Sequence, residues 1–509
     1  MNASFSTQSG WRFRRHERIA IIIAVFVLVG FGCLQERRTA LRQAPMTDLS
    51  VFCIASGAIW SGENPYAIPD WHGWHYQYPP AMAILFLPLA EPVPLPLLQD
   101  LVPQPPLAPP PLPPFGLPPL PLMALTPLEL PPGEFRTVAN TPWGYGIEGK
   151  NYYGLHAVNA HFFFAVAAWY VVSLLGILLS AHALACALEG NKFRSPPPVD
   201  AHTRRRWWWR RLLPLAICAG SLLTDLSRGQ ADILMLTAIA IGLYFVAAGK
   251  PFKGGMCLAF PATVKLFPPL LLAYPFLRRQ WRLAAGVVAG LLIFLAVLPL
   301  VTLGPKRTTE LYQCWIEVLA KPALGHGSDT SRARELTGMS STDNQSLLAT
   351  IHNWTHHSLP RDMRPPEAAA WERNTVYAAG AFMILGVLCV MGFRRTDSPH
   401  ELLVIAGLLI GIALVTSPIV HNFYYLLMLP LVAALVDLSL AQEGRSGGNW
   451  KWILLLAAFM LTDLLARMPG IGPRVRDYGL TTLSLLWLLT AGALFLAGQA
   501  TLHRATARK

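Results

Sequence analysis

Long runs of apolar residues, separated by shorter polar stretches, dominate the pattern along the chain. Many of these runs approach the length of about 20 residues that an α-helix needs to cross a bilayer. They predict spans at about 18–35, 79–98, 161–187, 212–226, 230–248, 254–277, 283–303, 375–393, 399–416, 423–440, 450–468 and 478–498. We therefore expect an all-α polytopic membrane protein, a single bundle of roughly 10–12 transmembrane helices with short external helices.

One of the predicted spans is interrupted near its middle. The segment 254–277 contains Lys265, which is closely followed by the pair Pro268 and Pro269. Proline removes a backbone donor and breaks a helix, and broken helices are tolerated in membranes where they line a cavity. Because basic residues flank both ends, the segment is predicted to be a broken hairpin that returns to the cytoplasmic side.

Composition and charge support the membrane interpretation. Hydrophobic residues make up 53% of the chain and charged residues only 14%, whereas a soluble domain carries about a quarter charged residues. The formal charge of +13 comes from basic residues at the ends of apolar blocks, as the positive-inside rule requires. This distribution argues against nucleic-acid binding and predicts cytoplasmic termini. It also predicts that the Arg- and Trp-rich run 204–211 is a cytoplasmic anchor in the headgroup layer.

This orientation places two long polar connections outside, at about 36–78 and 304–374. Such loops on a helical scaffold are where binding and catalysis commonly occur. The segment 88–132 is rich in proline and is predicted to be an insertion with polyproline II character at the membrane surface. The seven cysteines are scattered without a Cys-x-x-Cys pair, so the sequence indicates neither zinc nor a disulfide framework.

Asp48 is the first candidate for chemistry, because it stands in the first external connection directly before the apolar run 49–60. That run predicts a short helix at the membrane surface, and an Asp in front of it is a favoured N-cap. A carboxylate there would also suit a general base that takes a proton from a sugar hydroxyl. Both interpretations of Asp48 stay open at this point.

The chain contains no Asp-x-Asp sequence, which argues against a metal site for a nucleotide-sugar diphosphate. A polyprenyl phosphate is already a good leaving group, so transfer from it needs no second carboxylate as an acid, unlike glycoside hydrolysis. The absence of Asp-x-Asp fits a lipid-phosphate donor better than a nucleotide donor, and neither a cofactor nor a metal is expected.

Several short motifs follow one another in a fixed order along the chain. They are Asp48-Leu49-Ser50-Val51, Gly62-x-Asn64-Pro65-Tyr66, Tyr78-Pro79-Pro80, Gly229-Gln230, Lys265-Leu266-Phe267-Pro268, Asn344-Gln345-Ser346 and Ser417-Pro418-x-x-His421. The set resembles the polyprenol-phosphate-mannose-dependent mannosyltransferases of glycosyltransferase family 87, a branch of the GT-C membrane transferases. The resemblance implies a cell-membrane enzyme that moves a hexose, mannose by analogy, to a lipid, glycan or protein acceptor. It also implies an external active site with Asp48 as the catalytic base.

The other motif residues, together with Arg228 directly before Gly229-Gln230, are candidates for binding the donor phosphate or the sugar. They are Tyr78, Arg228, Gln230, Lys265, Asn344, Gln345 and His421. An ionisable side chain inside an apolar block is costly and is by default a functional hypothesis. For Lys265, however, a buried structural ion pair is an equal alternative to a phosphate contact. Arg228 could instead be an interfacial anchor, and His421 a plain interfacial histidine.

Two alternatives to a transferase follow from the same pattern. A secondary transporter or lipid flippase also contains broken helices and intramembrane charges, although the two halves of this chain show no internal repeat. A membrane scaffold could bind a partner through the proline-rich segment. Finally, His352, His356 and His357 have helical spacing, but with no carboxylate or cysteine partner expected nearby they predict a solvated loop rather than a metal site.

Overall fold

The computed structural model describes residues 14–41, 47–70, 74–91, 160–265, 269–321, 339, 341, 343–392, 398–441 and 450–507. The proline-rich segment from residue 92 onward, the two chain ends and much of 322–342 lie outside the described residues. Within the described ranges the regular secondary structure is helical, and extended pairing is confined to two isolated bridges, Pro69–His75 and Asn344–His421. The all-α prediction is confirmed.

The helices of the first half of the described chain are α1 Arg15–Arg38, α2 Leu49–Trp60, α3 Pro80–Leu85, α4 Ala160–Glu189, α5 Ala201–Ile217, α6 Ala219–Arg228, α7 Asp232–Ala247, α8 Pro251–Val264 and α9 Pro269–Leu277. The second half contains α10 Trp281–Leu292, α11 Leu298–Trp315, α12 Leu347–Thr355, α13 Ala370–Gly392, α14 Pro399–Thr416, α15 Leu429–Ala441, α16 Trp450–Leu465, α17 Gly472–Asp477 and α18 Leu480–Ala507. Short 3₁₀ turns occur at Leu87–Leu89, Arg361–Met363 and Asn422–Met428, and π-helical turns at Ile293–Val297 and Ile316–Ala320.

Six helical stretches among the described residues are long and apolar enough to cross a membrane. They are Arg15–Arg38, His161–Glu189, Trp281–Ala320, Pro399–Thr416, Asn422–Leu440 and Leu480–Gly498. They confirm the polytopic architecture. Other apolar helices, such as α7 with 16 residues, are shorter than a full span, so the number of 10–12 crossings stays a prediction.

The surface of the bundle is apolar where a soluble protein would be polar. Phe26 of α1 is 74% exposed, and its neighbours Ile22 and Val25 are also exposed. Large apolar side chains in such number on an outer face are stable against lipid tails rather than water. By contrast, α14 and the segment Asn422–Leu440 lie almost entirely inside the protein and form the centre of its core.

The predicted break in 254–277 is present, since α8 ends at Val264, directly before Lys265, and α9 begins at Pro269. The return of this segment to the cytoplasmic side stays a prediction. α8 packs tightly against α10 through glycines. A Cβ on Gly255 would lie 2.2 Å from the carbonyl oxygen of Leu283, and one on Gly286 would lie 2.1 Å from that of Phe252. Only glycine permits this close backbone approach, as at many helix crossings in membranes.

Two predicted helices differ from expectation. α2 does not rest on a surface, since every residue from Leu49 to Ile59 is buried in the protein. The predicted span 79–98 begins with the six-residue α3 and a 3₁₀ turn, so its described part is too short to cross a bilayer. An apolar run cannot by itself distinguish lipid neighbours from protein neighbours.

Two polar segments also differ from expectation. In the Arg- and Trp-rich run, Arg204 and Arg211 are buried and pair with Glu17 and Glu189 at 2.5 Å and 2.9 Å, so they brace helices rather than reach headgroups. His352 is not in a solvated loop. It is buried in α12, and its Nδ1 lies 3.0 Å from a carboxylate oxygen of Glu372. The expectation that no carboxylate is nearby was therefore wrong.

Candidate active site

A cavity of about 210 Å³ opens where the two long polar connections meet the helix ends. Its walls come from the start of α2, the loop before α3, the α6–α7 turn, the loop before α12 and the loop after α14. The lining side chains are Asp48, Val51, Phe52, Trp74, His75, Gln77, Tyr78, Arg228, Gln230, Ser341, Asp343, Asn344, His421, Phe423 and Tyr424. Both connections predicted to be external thus contribute to one site.

Asp48 lies in the N-cap position of α2, but its side chain makes no capping hydrogen bond to this helix. The neighbouring Thr47 hydroxyl instead accepts a hydrogen bond from the backbone N–H of Leu49, at 3.2 Å. An Oδ atom of Asp48 accepts a hydrogen bond from Nε2 of Gln230. The carboxylate is 15% exposed and lines the cavity, so a substrate can reach it.

The α6–α7 turn is fixed against this part of the chain by backbone hydrogen bonds. The carbonyl oxygen of Arg228 accepts from the N–H of Asp48 at 2.8 Å and from the Thr47 hydroxyl at 2.9 Å. The same turn presents the guanidinium of Arg228, whose Nη1 lies 3.9 Å from Oδ2 of Asp48. A cationic group and a carboxylate therefore face one cavity side by side.

Gly229 makes this approach possible. It ends α6 with a φ of +65°, which is a left-handed conformation that favours glycine. A Cβ on Gly229 would lie 2.8 Å from the Thr47 hydroxyl oxygen and 2.9 Å from Cβ of Leu49. The Gly-Gln motif is therefore explained by two requirements, a positive φ and a close contact beside Asp48.

Gly229→Ala should therefore push the Asp48 backbone away from Gln230 and Arg228. We expect the catalytic activity of this site to fall by about 10- to 100-fold, because small displacements of reacting groups have effects of this size. Gly249→Ala is the matched control, since Gly249 has a φ of +72° but a Cβ added there would meet no atom within 4 Å. It should cost about 1 kcal/mol of stability without loss of activity. Equal activity of the two variants in an initial-rate assay would contradict this explanation.

The second wall of the cavity is a short pairing between the loops 343–346 and 417–421. Oδ1 of Asn344 accepts hydrogen bonds from the N–H groups of Ser346 and Val420, each at 3.1 Å, and its Nδ2 donates to the Pro418 carbonyl at 3.0 Å. The amide of Asn344 is thus occupied in holding the two loops together. Its role is to position the wall, and with it His421.

Gln345 does not line the cavity. Its Oε1 accepts from the Thr481 hydroxyl, and its Nε2 donates to the carbonyl oxygen of Arg476 at 3.1 Å. Gln345 therefore fastens the loop to the α17–α18 region. The motif predicted a substrate contact at Gln345, whereas in the structure the Gln345 side chain anchors this loop.

His421 lies on the cavity wall with its ring stacked on that of Phe423, at a centroid distance of 5.2 Å. Burial and the positive charge of Arg228 lower the pKa of His421 to about 4, so the imidazole is neutral near pH 7. Among the described residues its Nδ1 has no hydrogen-bond partner. A neutral ring on the cavity wall suits a hydrogen bond to substrate rather than a cationic contact.

Tyr78 and the residues before it form the third wall. Burial raises the pKa of the Tyr78 phenol, so this group remains a hydrogen-bond donor. The loop is held by Asp70, whose Oδ1 accepts from the N–H of Trp74 at 2.9 Å and whose Oδ2 accepts from the Ser50 hydroxyl at 2.7 Å. The aromatic and amide side chains of Trp74, His75 and Gln77 therefore reach the cavity, although no motif predicted them.

Lys265 lies behind the cavity rather than on its wall. Its Nζ donates to both carboxylate oxygens of Asp232, at 2.8 Å and 2.9 Å, and lies 3.8 Å from the ring centre of Tyr424. The structural ion pair considered for this lysine is therefore present. Tyr424, which does line the cavity, connects the ion pair with the site.

Asp343 is a second carboxylate on the wall that sequence reasoning missed. Its oxygens lie 3.2 Å from Nη1 of Arg476 and 3.8 Å from Nη2 of Arg228. Asp343 therefore holds Arg228 from the side opposite Asp48. No sequence signal pointed to it, because the loop around it has no periodic pattern.

Comparison with known families decides the class of the protein. A model of glycosyltransferase family 87 matches residues 155–418, just over half of the chain. The chain belongs to glycosyltransferase family 87. The protein is thus a multi-pass membrane glycosyltransferase, and the transporter, flippase and scaffold alternatives are not supported. No curated protein and no solved structure matches the chain.

The family match covers only part of the site. Arg228, Gln230, Lys265, Asn344 and Gln345 lie within residues 155–418. Asp48, Tyr78 and His421 lie outside that range, and it is the fold that brings them to the same cavity as Arg228. The roles of individual residues in this glycosyltransferase are therefore proposals.

Proposed function

We propose that this family 87 glycosyltransferase transfers a hexose, mannose by resemblance, from a polyprenyl phosphate to a lipid, glycan or protein acceptor on the external side of the membrane. The proposal rests on one observation. A reachable carboxylate, Asp48, and a guanidinium, Arg228, lie side by side in a cavity formed by helix ends and loops. A proton acceptor and an anion-binding group are what transfer from a lipid phosphate requires.

In the proposed reaction, Asp48 takes the proton from an acceptor hydroxyl as general base. The hydroxyl oxygen then forms a bond to the anomeric carbon of the donor. The bond from that carbon to the phosphate oxygen breaks, and the electron pair leaves with the polyprenyl phosphate. A single displacement of this kind inverts the anomeric carbon. No acid is needed on the leaving side, because the phosphate is already a stable anion.

Arg228 would bind the departing phosphate. Its guanidinium is 37% exposed and is held between Asp48 and Asp343, so it is oriented before substrate arrives. Such preorganised charge stabilises negative charge that develops in a transition state. The neutral His421 and the Tyr78 phenol would add hydrogen bonds to the phosphate or the sugar, and Gln230 would keep the Asp48 carboxylate in place.

The donor class is tested with purified full-length protein in nanodiscs. The protein is given radiolabelled mannose either as polyprenyl-phosphate mannose or as GDP-mannose, and a membrane lipid extract serves as the acceptor. We expect labelled product only from the lipid donor, without any ion gradient. Polyprenyl-phosphate glucose at the same concentration is the control for the sugar. Product from GDP-mannose alone, or none from either polyprenyl-phosphate hexose, would contradict the proposed donor.

A further inference from the structure

Outside the cavity, three side chains with metal-ligating atoms lie together where α12 meets the beginning of α13. One ligand atom from each of His352, His356 and Glu372 lies within 4.8 Å of the other two. His352 and Glu372 are fully buried, and His356 is half-buried at the end of α12. The proposed transfer reaction makes no use of this cluster.

The hydrogen bonds of the two histidines fix which nitrogens carry lone pairs. Nε2 of His352 lies 3.0 Å from the carbonyl oxygen of Pro365, and Nδ1 of His356 lies 3.0 Å from that of His352. A carbonyl oxygen only accepts, so both of these nitrogens carry hydrogen. In the neutral rings, the lone pairs are then on Nδ1 of His352 and Nε2 of His356. Histidines that bind metals in proteins characteristically donate their other N–H in this way.

The carboxylate of Glu372 completes the set. Its Oε2 lies 3.0 Å from Nδ1 of His352 and accepts from the N–H of Ala369 at 2.7 Å. Its Oε1 is buried and has no hydrogen-bond partner in the part of the chain that the structure describes. A lone pair on Nδ1 and a carboxylate oxygen at this distance repel unless a proton or a cation lies between them.

We propose that His352, His356 and Glu372 bind a divalent transition-metal ion of the zinc type. Two imidazole nitrogens and one carboxylate oxygen are ligands that zinc prefers, at about 2.0–2.2 Å each. Tetrahedral ligands at such distances lie about 3.3 Å apart, close to the 3.0 Å between His352 and Glu372. His356 needs a modest side-chain adjustment, which its half-buried position allows, and water would take the fourth position.

The bound ion would tie α12 to α13. α12 begins directly after the Asn344–Gln345–Ser346 loop, which forms one wall of the cavity. Binding would displace any proton shared by His352 and Glu372, as metal binding by histidine generally does.

The test measures zinc binding by full-length protein purified through a tag without histidine. Wild type should retain about one zinc ion per chain in this site, and zinc should raise its thermal unfolding midpoint. His356→Gln is the informative variant, because the residue is half-buried and its loss leaves the His352–Glu372 contact intact. We expect the zinc Kd to rise at least about tenfold.

His357→Gln is the matched control, since His357 is an exposed neighbour whose Nδ1 bonds the carbonyl oxygen of Trp354 instead. It should bind zinc like wild type. Glu372→Gln keeps the shape of the side chain and should weaken zinc binding as His356→Gln does. The proposal is overturned if wild type binds zinc no better than His356→Gln, or if His357→Gln loses as much. Because the measured quantity is bound zinc, the result is independent of the proposed sugar transfer.

Discussion

Replacing Asp48 with Asn should reduce sugar transfer by about 10²- to 10⁴-fold, which is the contribution usually made by a general base. The amide oxygen of Asn can still accept the hydrogen bond from Gln230. No capping bond is lost, because the Asp48 carboxylate does not cap α2. The variant should therefore fold like wild type, and the rate loss should appear in kcat rather than in the KM for the donor.

Initial rates with the lipid donor and the thermal unfolding midpoint together test this expectation. Asp343→Asn is the matched control, because Asp343 is the other aspartate on the cavity wall and is 44% exposed. It should lose less than about tenfold, as only the orientation of Arg228 is affected. If Asp343→Asn instead abolished transfer and Asp48→Asn retained it, the base would be Asp343.

The helical part of the fold could be predicted from the lengths of the apolar runs. The break at Lys265 was also predictable, because a lysine and two prolines in an apolar run cannot continue a membrane helix. The buried position of α2 could not be predicted, since a run such as 49–60 is equally compatible with lipid and with protein around it. Which apolar surface faces lipid depends on tertiary packing. The apolar helix α1 is almost entirely on the outside of the protein, whereas the apolar helix α14 is mostly buried inside it.

For the site, motif order identified residues that are far apart in sequence but share a cavity, such as Asp48, Gln230 and His421. The same motifs also include residues that hold the cavity walls in place. The sequence does not distinguish these structural residues from the residues that line the cavity. Gln345 anchors a loop from behind, whereas Asn344 reaches the cavity while bonding the opposite loop. This difference depends on side-chain direction, which spacing in a loop does not determine.

The pairing of His352 with Glu372 was missed for a similar reason. The two residues are 20 positions apart, and the loop between them must fold back before the carboxylate meets the imidazole. Helical spacing indicated His352 and His356 as ligand candidates, but a third ligand from another helix leaves no periodic signal. The residue pattern within one segment therefore does not reveal a binding site whose ligands come from two different helices.

Lys265→Met should destabilise the protein by about 3–5 kcal/mol, the range seen when one partner of a buried ion pair is removed. Asp232 is fully buried and would lose the ammonium that donates to both of its oxygens. We expect a large fall in the thermal unfolding midpoint in nanodiscs.

The double variant Asp232→Asn with Lys265→Met separates the two interpretations of Lys265 that the sequence left open. If the lysine serves the ion pair, removing both charges should restore at least about half of the lost stability, because no uncompensated carboxylate remains at position 232. The KM for the lipid donor should then stay within about threefold of wild type, since Lys265 does not line the cavity. A stable double variant with a KM raised tenfold or more would instead make Lys265 a ligand of the donor phosphate. That result would require the Asp232 contact to open when the donor binds, because the ammonium cannot hold both carboxylate oxygens and a phosphate in the observed arrangement.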